Sequence, residues 1–195
     1  MLELDTPHGP ARAHLREAES PRGWLVLGHG AGGGVESPDL KGATQAGLDA
    51  SLSVALVEQP YRVAGRRSPA PAAQLDASWV AVVEQLPLAG LPLVVGGRSS
   101  GARVACRTAA ATGAVAVLCL AFPLHLPGRP EKSRLDELDA VMVPTLVVQG
   151  EHDPFGLPPA GANRTVVTIP GSHSLRSPIN VTTAVSEWLA ATVIA

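Results

Sequence analysis

Aromatic side chains are scarce in this chain of 195 residues, which has three Trp, one Tyr and two Phe. Its core must therefore be mainly aliphatic. Charge of one sign is lacking as well. Fifteen Lys and Arg against 17 Asp and Glu leave a net charge of −2, which gives no electrostatic case for nucleic acid or an anionic membrane as a partner. Cysteine is limited to Cys106 and Cys119. Both stand in apolar stretches and read as small, reduced core residues. No cluster of His and Cys has metal-ligand spacing, so neither a metal nor another cofactor is expected. The longest apolar run, Ala114 to Leu124, is too short to span a bilayer. Met1 to Asp5 lacks the basic-then-apolar pattern of a signal peptide, and the cytoplasm is the expected location. Lysine is rare beside arginine, and with abundant Ala, Gly and Pro this points to a GC-rich bacterial genome.

What is present is enough for one domain over residues 1–195, since 46% of the residues are hydrophobic and 16% charged. Leu2 to Asp5 and Ala11 to Arg16, separated by Thr6-Pro7-His8-Gly9-Pro10, predict an antiparallel hairpin. Strands follow near 23–28, 53–58, 92–97, 115–121, 144–149 and 164–169. Helices are expected near 38–50, 72–86, 100–112, 133–140 and 178–193. This alternation implies an α/β fold, a mostly parallel eight-stranded sheet with helices on both faces.

The turn Gly97-Arg98-Ser99-Ser100-Gly101 lies between an apolar strand and an alanine-rich helix. It has the pattern of a nucleophile elbow, G-x-S-x-G. Strand and helix approach closely around such a bend, so the positions two before and two after the nucleophile must be nearly free of side chain. Gly97 and Gly101 meet that need for Ser99; Arg98 and Ala102 would not meet it for Ser100. Ser99 is therefore the candidate nucleophile.

A serine hydroxyl needs a base to remove its proton, and the base needs a third group to fix its tautomer. The strand Thr145 to Gly150 empties into Glu151-His152-Asp153-Pro154, and the strand Thr165 to Ile169 runs through Pro170-Gly171-Ser172 to His173. Both leave the same sheet edge as the elbow, where functional groups of open α/β sheets gather. Asp153 is the candidate acid and His173 the candidate base. Glu151 competes for the acid's role and His125 for the base's, while Asp136, Glu137 and Asp139 read as a solvated face of a short helix.

Gly28-His29-Gly30-Ala31-Gly32-Gly33-Gly34 follows the strand Trp24 to Leu27. A hydrolase would place half of its oxyanion hole there. The expected donors are the amides of Ala31, with Gly32 as the near alternative, and of Ser100; His29 reads as a prop for the loop. The same glycines fit G-x-G-x-x-G, with Glu58 where a ribose-binding acid would stand, so a dinucleotide-binding oxidoreductase is a rival reading. Against it, Ser37-Pro38 starts the next helix well after the glycines.

Taken together, the glycine loop, the elbow, Gly150-Glu151-His152-Asp153-Pro154-Phe155 and Gly171-Ser172-His173-Ser174-Leu175 resemble the α/β-hydrolase superfamily. The closest likeness is to its compact dienelactone-hydrolase-like group and the Tex30/KANSL3-like branch, which Phe122 to Pro130 also resembles. The resemblance runs from about residue 20 to 190. It implies the α/β-hydrolase fold, a Ser99-Asp153-His173 triad and Ala31 and Ser100 as oxyanion donors. Dienelactone hydrolases proper use a cysteine nucleophile, so their lactone substrate is not carried over to a chain with Ser99. Some members of the Tex30/KANSL3-like branch act within complexes, and a non-catalytic interaction module on a hydrolase scaffold is the alternative function.

Leu124 to Val143 holds room for one short helix and a loop, so no cap domain is expected. The substrate read from these features is a small-molecule ester or acyl compound with a short or solvent-exposed acyl group. Tyr61, Arg62, Phe122, His125 and Phe155 are the candidate substrate contacts. Arg66 and Arg67 share the loop of Arg62 and offer charge for an anionic group. Nothing in the sequence sets an oligomeric state.

Overall fold

The computed structural model describes residues 1–192. The expected hairpin is β1 (Leu2–Leu4) and β2 (Ala11–Arg16), followed by β3 (Gly23–Gly28), α1 (Pro38–Asp49), β4 (Leu52–Glu58) and α2 (Pro60–Val63). Then come α3 (Ala72–Gln85), β5 (Leu93–Arg98), α4 (Ser100–Thr108), β6 (Ala116–Leu120), α5 (Leu135–Asp139), β7 (Thr145–Gly150), β8 (Arg164–Ile169) and α6 (Pro178–Thr192). Residue 193, the expected end of the last helix, lies outside the described residues.

The eight strands form one sheet in the order β1-β2-β4-β3-β5-β6-β7-β8. β1 and β2 are antiparallel to their neighbours, and the others run parallel. Side chains alternate across a strand, which divides the core in two. Val26, Val95, Val117 and Val147 face the layer of α3, α4 and α5, where Trp79 is fully buried. Leu25, Val94, Leu118 and Leu146 face the layer of α1 and α6, packed with Leu40, Val181 and Leu189. Both faces being covered, the central strands are continuous apolar runs.

Three expectations needed adjustment. The single turn α2 was unmarked in the sequence, although Pro60 at its first position is a known helix start. The elbow helix stops at Thr108 rather than near 112; the hydroxyls of Thr108 and Thr112 turn back onto the carbonyls of Val104 and Thr108. Glu137 is not on a solvated face. It takes two bonds from Arg103, the Nε bond measuring 2.8 Å, and one from Arg107 at 3.2 Å, so α5 is pinned to α4.

Cys106 and Cys119 are free and buried, as expected of core residues. The segment 124–143 carries only α5 and turns, and no cap domain stands over the sheet edge. Among the described residues no helix is long and apolar enough to cross a membrane.

Candidate active site

β5 and α4 meet at Ser99, whose φ of 52° and ψ of −107° lie where L-residues are strained. The glycines on either side are obligatory for a specific reason. A Cβ at Gly97 would lie 2.5 Å from the carbonyl oxygen of Gly28, and one at Gly101 would strike the same carbonyl. The backbone of β3 thus presses into the elbow and forbids side chains two before and two after the serine. Ser99 donates its own amide to Leu120 O at 2.8 Å, which fixes the bend against β6.

Asp153 and His173 converge on this serine from 54 and 74 residues away. His173 Nε2 lies 2.9 Å from Ser99 Oγ. His173 Nδ1 lies 2.9 Å from Asp153 Oδ2 and 3.2 Å from Oδ1. A carboxylate only accepts, so the Nδ1 nitrogen carries the hydrogen, and in the neutral ring Nε2 is left with a lone pair facing the serine hydroxyl. The Asp153 side chain is 1% exposed and that of His173 17%. The Phe155 ring covers the imidazole at a centroid distance of 4.1 Å and a tilt of 31°. Glu151 is exposed and does not join this set.

Asp153 is held by its own surroundings. Its Oδ1 accepts the Phe155 amide at 2.9 Å, and its Oδ2 accepts from Gln149 Nε2 at 2.8 Å. Gln149 is fully buried on β7. The sequence signal for it, a lone polar residue ending an apolar strand, was there to be read.

Ser100 is the first residue of α4, so its amide has no acceptor within the helix. Ala31 lies in the turn after β3. His29 is buried and props that turn. Its Nε2 accepts the Gln59 amide at 3.1 Å, which leaves Nδ1 as the donor to Gly30 O at 2.8 Å. Gly33 donates to the same carbonyl at 3.1 Å. With Gly30 O held from two sides, the Ala31 N–H of the same peptide unit is directed the opposite way. Burial, the largest influence, lowers the His29 pKa; Arg62 adds to that effect, and Glu58 and the Gly30 carbonyl oppose it.

The expected substrate contacts divide. Phe155 lies beside His173, and His125 is half-buried nearby, its amide donating to Phe155 O at 3.0 Å and its Nδ1 meeting Leu126 O at 2.9 Å. Phe122 is instead fully buried in the core, where its carbonyl accepts from Gln149. Tyr61 is also buried; its hydroxyl donates to Ala31 O at 2.8 Å, so it serves the glycine loop and forms no wall. Burial pushes the Tyr61 pKa up to about 12, keeping that donor proton in place. Arg62 turns back onto Arg66 O at 3.2 Å, and Arg66 and Arg67 are exposed.

The dinucleotide reading fails on the same loop. The N-terminus of α1 that would hold a pyrophosphate already carries the buried carboxylate of Asp39, 2.8 Å from Arg98 Nε. Glu58 faces His14 at 3.0 Å. Among the described residues no group of three or more His, Cys, Asp or Glu is placed to hold a metal ion.

Solved structures share this architecture over nine-tenths or more of their length. Est1E from Butyrivibrio proteoclasticus, solved with ferulic acid bound, aligns with a TM-score of 0.80 at 18% identity, covering 100% of both chains. A lidless α/β serine hydrolase from Xanthomonas campestris aligns at 0.77 with 21% identity over 97% of this chain and 93% of that one. A dienelactone hydrolase from Anabaena variabilis aligns at 0.74 with 19% identity over 98% and 96%. No curated protein matches the sequence. Residues 21–176 match the family model described as an alpha/beta hydrolase domain, and the chain belongs to the α/β-hydrolase family.

Proposed function

We propose that this hydrolase is a serine-dependent esterase acting on small-molecule esters or related acyl compounds. The observation that carries the reading is the relay Asp153, His173, Ser99, with 2.9 Å at each joint, on a serine held in a strained elbow. Neutral His173 takes the Ser99 proton through Nε2 as Oγ attacks the acyl carbonyl. The amides of Ala31 and Ser100 bind the oxygen on which negative charge develops. His173 then returns the proton to the leaving alcohol, and water repeats the sequence to free the acid and restore Ser99. Asp153 stabilises the imidazolium and holds its tautomer throughout.

The uncapped edge supports a short acyl group, with Phe155 and His125 as its nearest neighbours. A water-soluble p-nitrophenyl acetate assay tests the function: the protein should release p-nitrophenol with saturation, and Ser99→Ala should abolish release while leaving the circular dichroism spectrum unchanged. A folded wild-type protein that turns over no ester would refute it.

A further inference from the structure

Arg98, the residue before the nucleophile, closes β5 with a side chain 18% exposed. Its guanidinium reaches three chain segments at once. Nε lies 2.8 Å from Asp39 Oδ2 at the start of α1. Nη2 donates to the backbone carbonyl of His173 at 3.2 Å. Nη1 lies where a Cβ on Gly30 would come within 2.5 Å of it, so the third segment is the glycine loop that leads into Ala31. Asp39 is itself fixed. Its side chain is 1% exposed, and its Oδ1 accepts the Ser37 hydroxyl at 2.5 Å and the Leu40 amide at 2.9 Å. It sits in the first turn of α1, where the helix favours negative charge.

A buried ion pair is a poor source of net stability, because desolvating both charges offsets most of their attraction. Its distinct merit here is direction. A guanidinium is a rigid planar fork whose donors point along set lines, which a lysine ammonium cannot copy. From Arg98 the directed bond runs through Nη2 to the His173 carbonyl, while its charge rests against the anchor Asp39 and Nη1 lies against Gly30 of the glycine loop. The His173 loop needs such a tether, since it consists of bends between β8 and α6 and passes through Gly171 at φ 136°.

We propose that Arg98 is a positioning residue: a strut anchored on Asp39 that sets the His173 loop and the Gly30–Ala31 loop at their working distance from Ser99. It acts through the backbone of His173 and through the glycine loop, and it touches neither substrate nor the transferred proton. The proposal's kinetic consequence rests on the esterase reading; its structural consequence does not.

The test compares wild type with Arg98→Lys, Arg98→Met and Asp39→Asn by three readouts: ester kinetics, thermal midpoint, and hydrogen–deuterium exchange resolved along the chain. Arg98→Lys keeps a charge opposite Asp39 but cannot also hold His173 O. Its thermal midpoint should stay near that of wild type while kcat falls about 100-fold, the scale of an ångström-sized misplacement, with KM changing by less than about threefold. Exchange should quicken at residues 29–33 and 171–175 and stay unchanged in α3. If Arg98→Met does not fold, Arg98→Lys and Asp39→Asn carry the comparison. Wild-type kcat in Arg98→Lys, or losses of kcat that simply track the thermal midpoint across the variants, would overturn the strut. If wild type hydrolyses no ester, the esterase reading falls and exchange alone decides: local quickening in Arg98→Lys upholds the strut, and unchanged exchange in both loops overturns it.

Discussion

Gln149 Nε2 lies 2.8 Å from Asp153 Oδ2, and the same nitrogen lies 3.0 Å from Phe122 O and 2.9 Å from Gly156 O. Three oxygens around one nitrogen fix which way the amide faces, since the reversed amide would set its own oxygen among them. The side chain therefore ties the candidate acid to the loop after β6 and to the turn that carries Phe155.

Removing that amide exposes what it holds. Gln149→Met should lower stability by about 1–3 kcal/mol, the usual cost of stranding buried acceptors, and should lower kcat with little change in KM. Gln149→Glu sets a second carboxylate against Asp153 and should be the more damaging of the two. Urea unfolding and steady-state kinetics on both variants check this, and equal stability in the two would contradict it.

Asp153→Asn should reduce kcat by orders of magnitude, because an amide NH2 facing Nδ1 selects the wrong imidazole tautomer. Glu151→Gln, at an exposed position outside the relay, should be nearly silent. Kinetics showing the reverse order would reassign the acid.

The buried His29 makes stability depend on pH with a definite sign. Its Nε2 must stay unprotonated to accept the Gln59 amide, and burial lowers its folded pKa. The unfolded chain, with an ordinary value of about 6.5, therefore binds more protons than the folded one in this window. The His29 contribution is fully present above about pH 6.5 and is lost as pH falls toward the lowered folded value. Arg62 and Glu58 act on the ring with opposite signs. Unfolding midpoints should fall between about pH 7 and 5, and His29→Asn should flatten that slope. An unchanged slope in the variant would place the titrating group elsewhere.

An uncapped site leaves most of a long acyl chain in water, so each added methylene yields only a fraction of the ~0.8 kcal/mol gained on full burial. Across a series of p-nitrophenyl esters, kcat/KM should be greatest at about two to four carbons. A steady climb to long chains would contradict the open site.

The pattern of strands and the elbow were legible because they are local. Val94 and Val95 in a continuous apolar run announce a strand covered on both faces, and Gly97 and Gly101 announce a bend that tolerates no side chain. The sequence could not reveal that Gly28 is what presses on both glycines, since that contact joins distant segments. Tyr61 and Phe122 were expected at the substrate wall because they are aromatic and leave the right strands. Both are buried, Tyr61 with its hydroxyl spent on Ala31 and Phe122 with its ring in the core. The partnership of Arg98 and Asp39 is invisible in the sequence for a similar reason: neither has meaning until α1 and β5 are side by side.

The most direct measurement of the central claim is covalent labelling with a fluorophosphonate, read by mass spectrometry of the intact protein and its peptides. An activated Ser99 predicts a single adduct, located on Ser99, absent from Ser99→Ala and greatly slowed in His173→Ala. Absence of labelling in folded wild type, or an adduct that persists in Ser99→Ala and disappears in Ser100→Ala, would contradict the account.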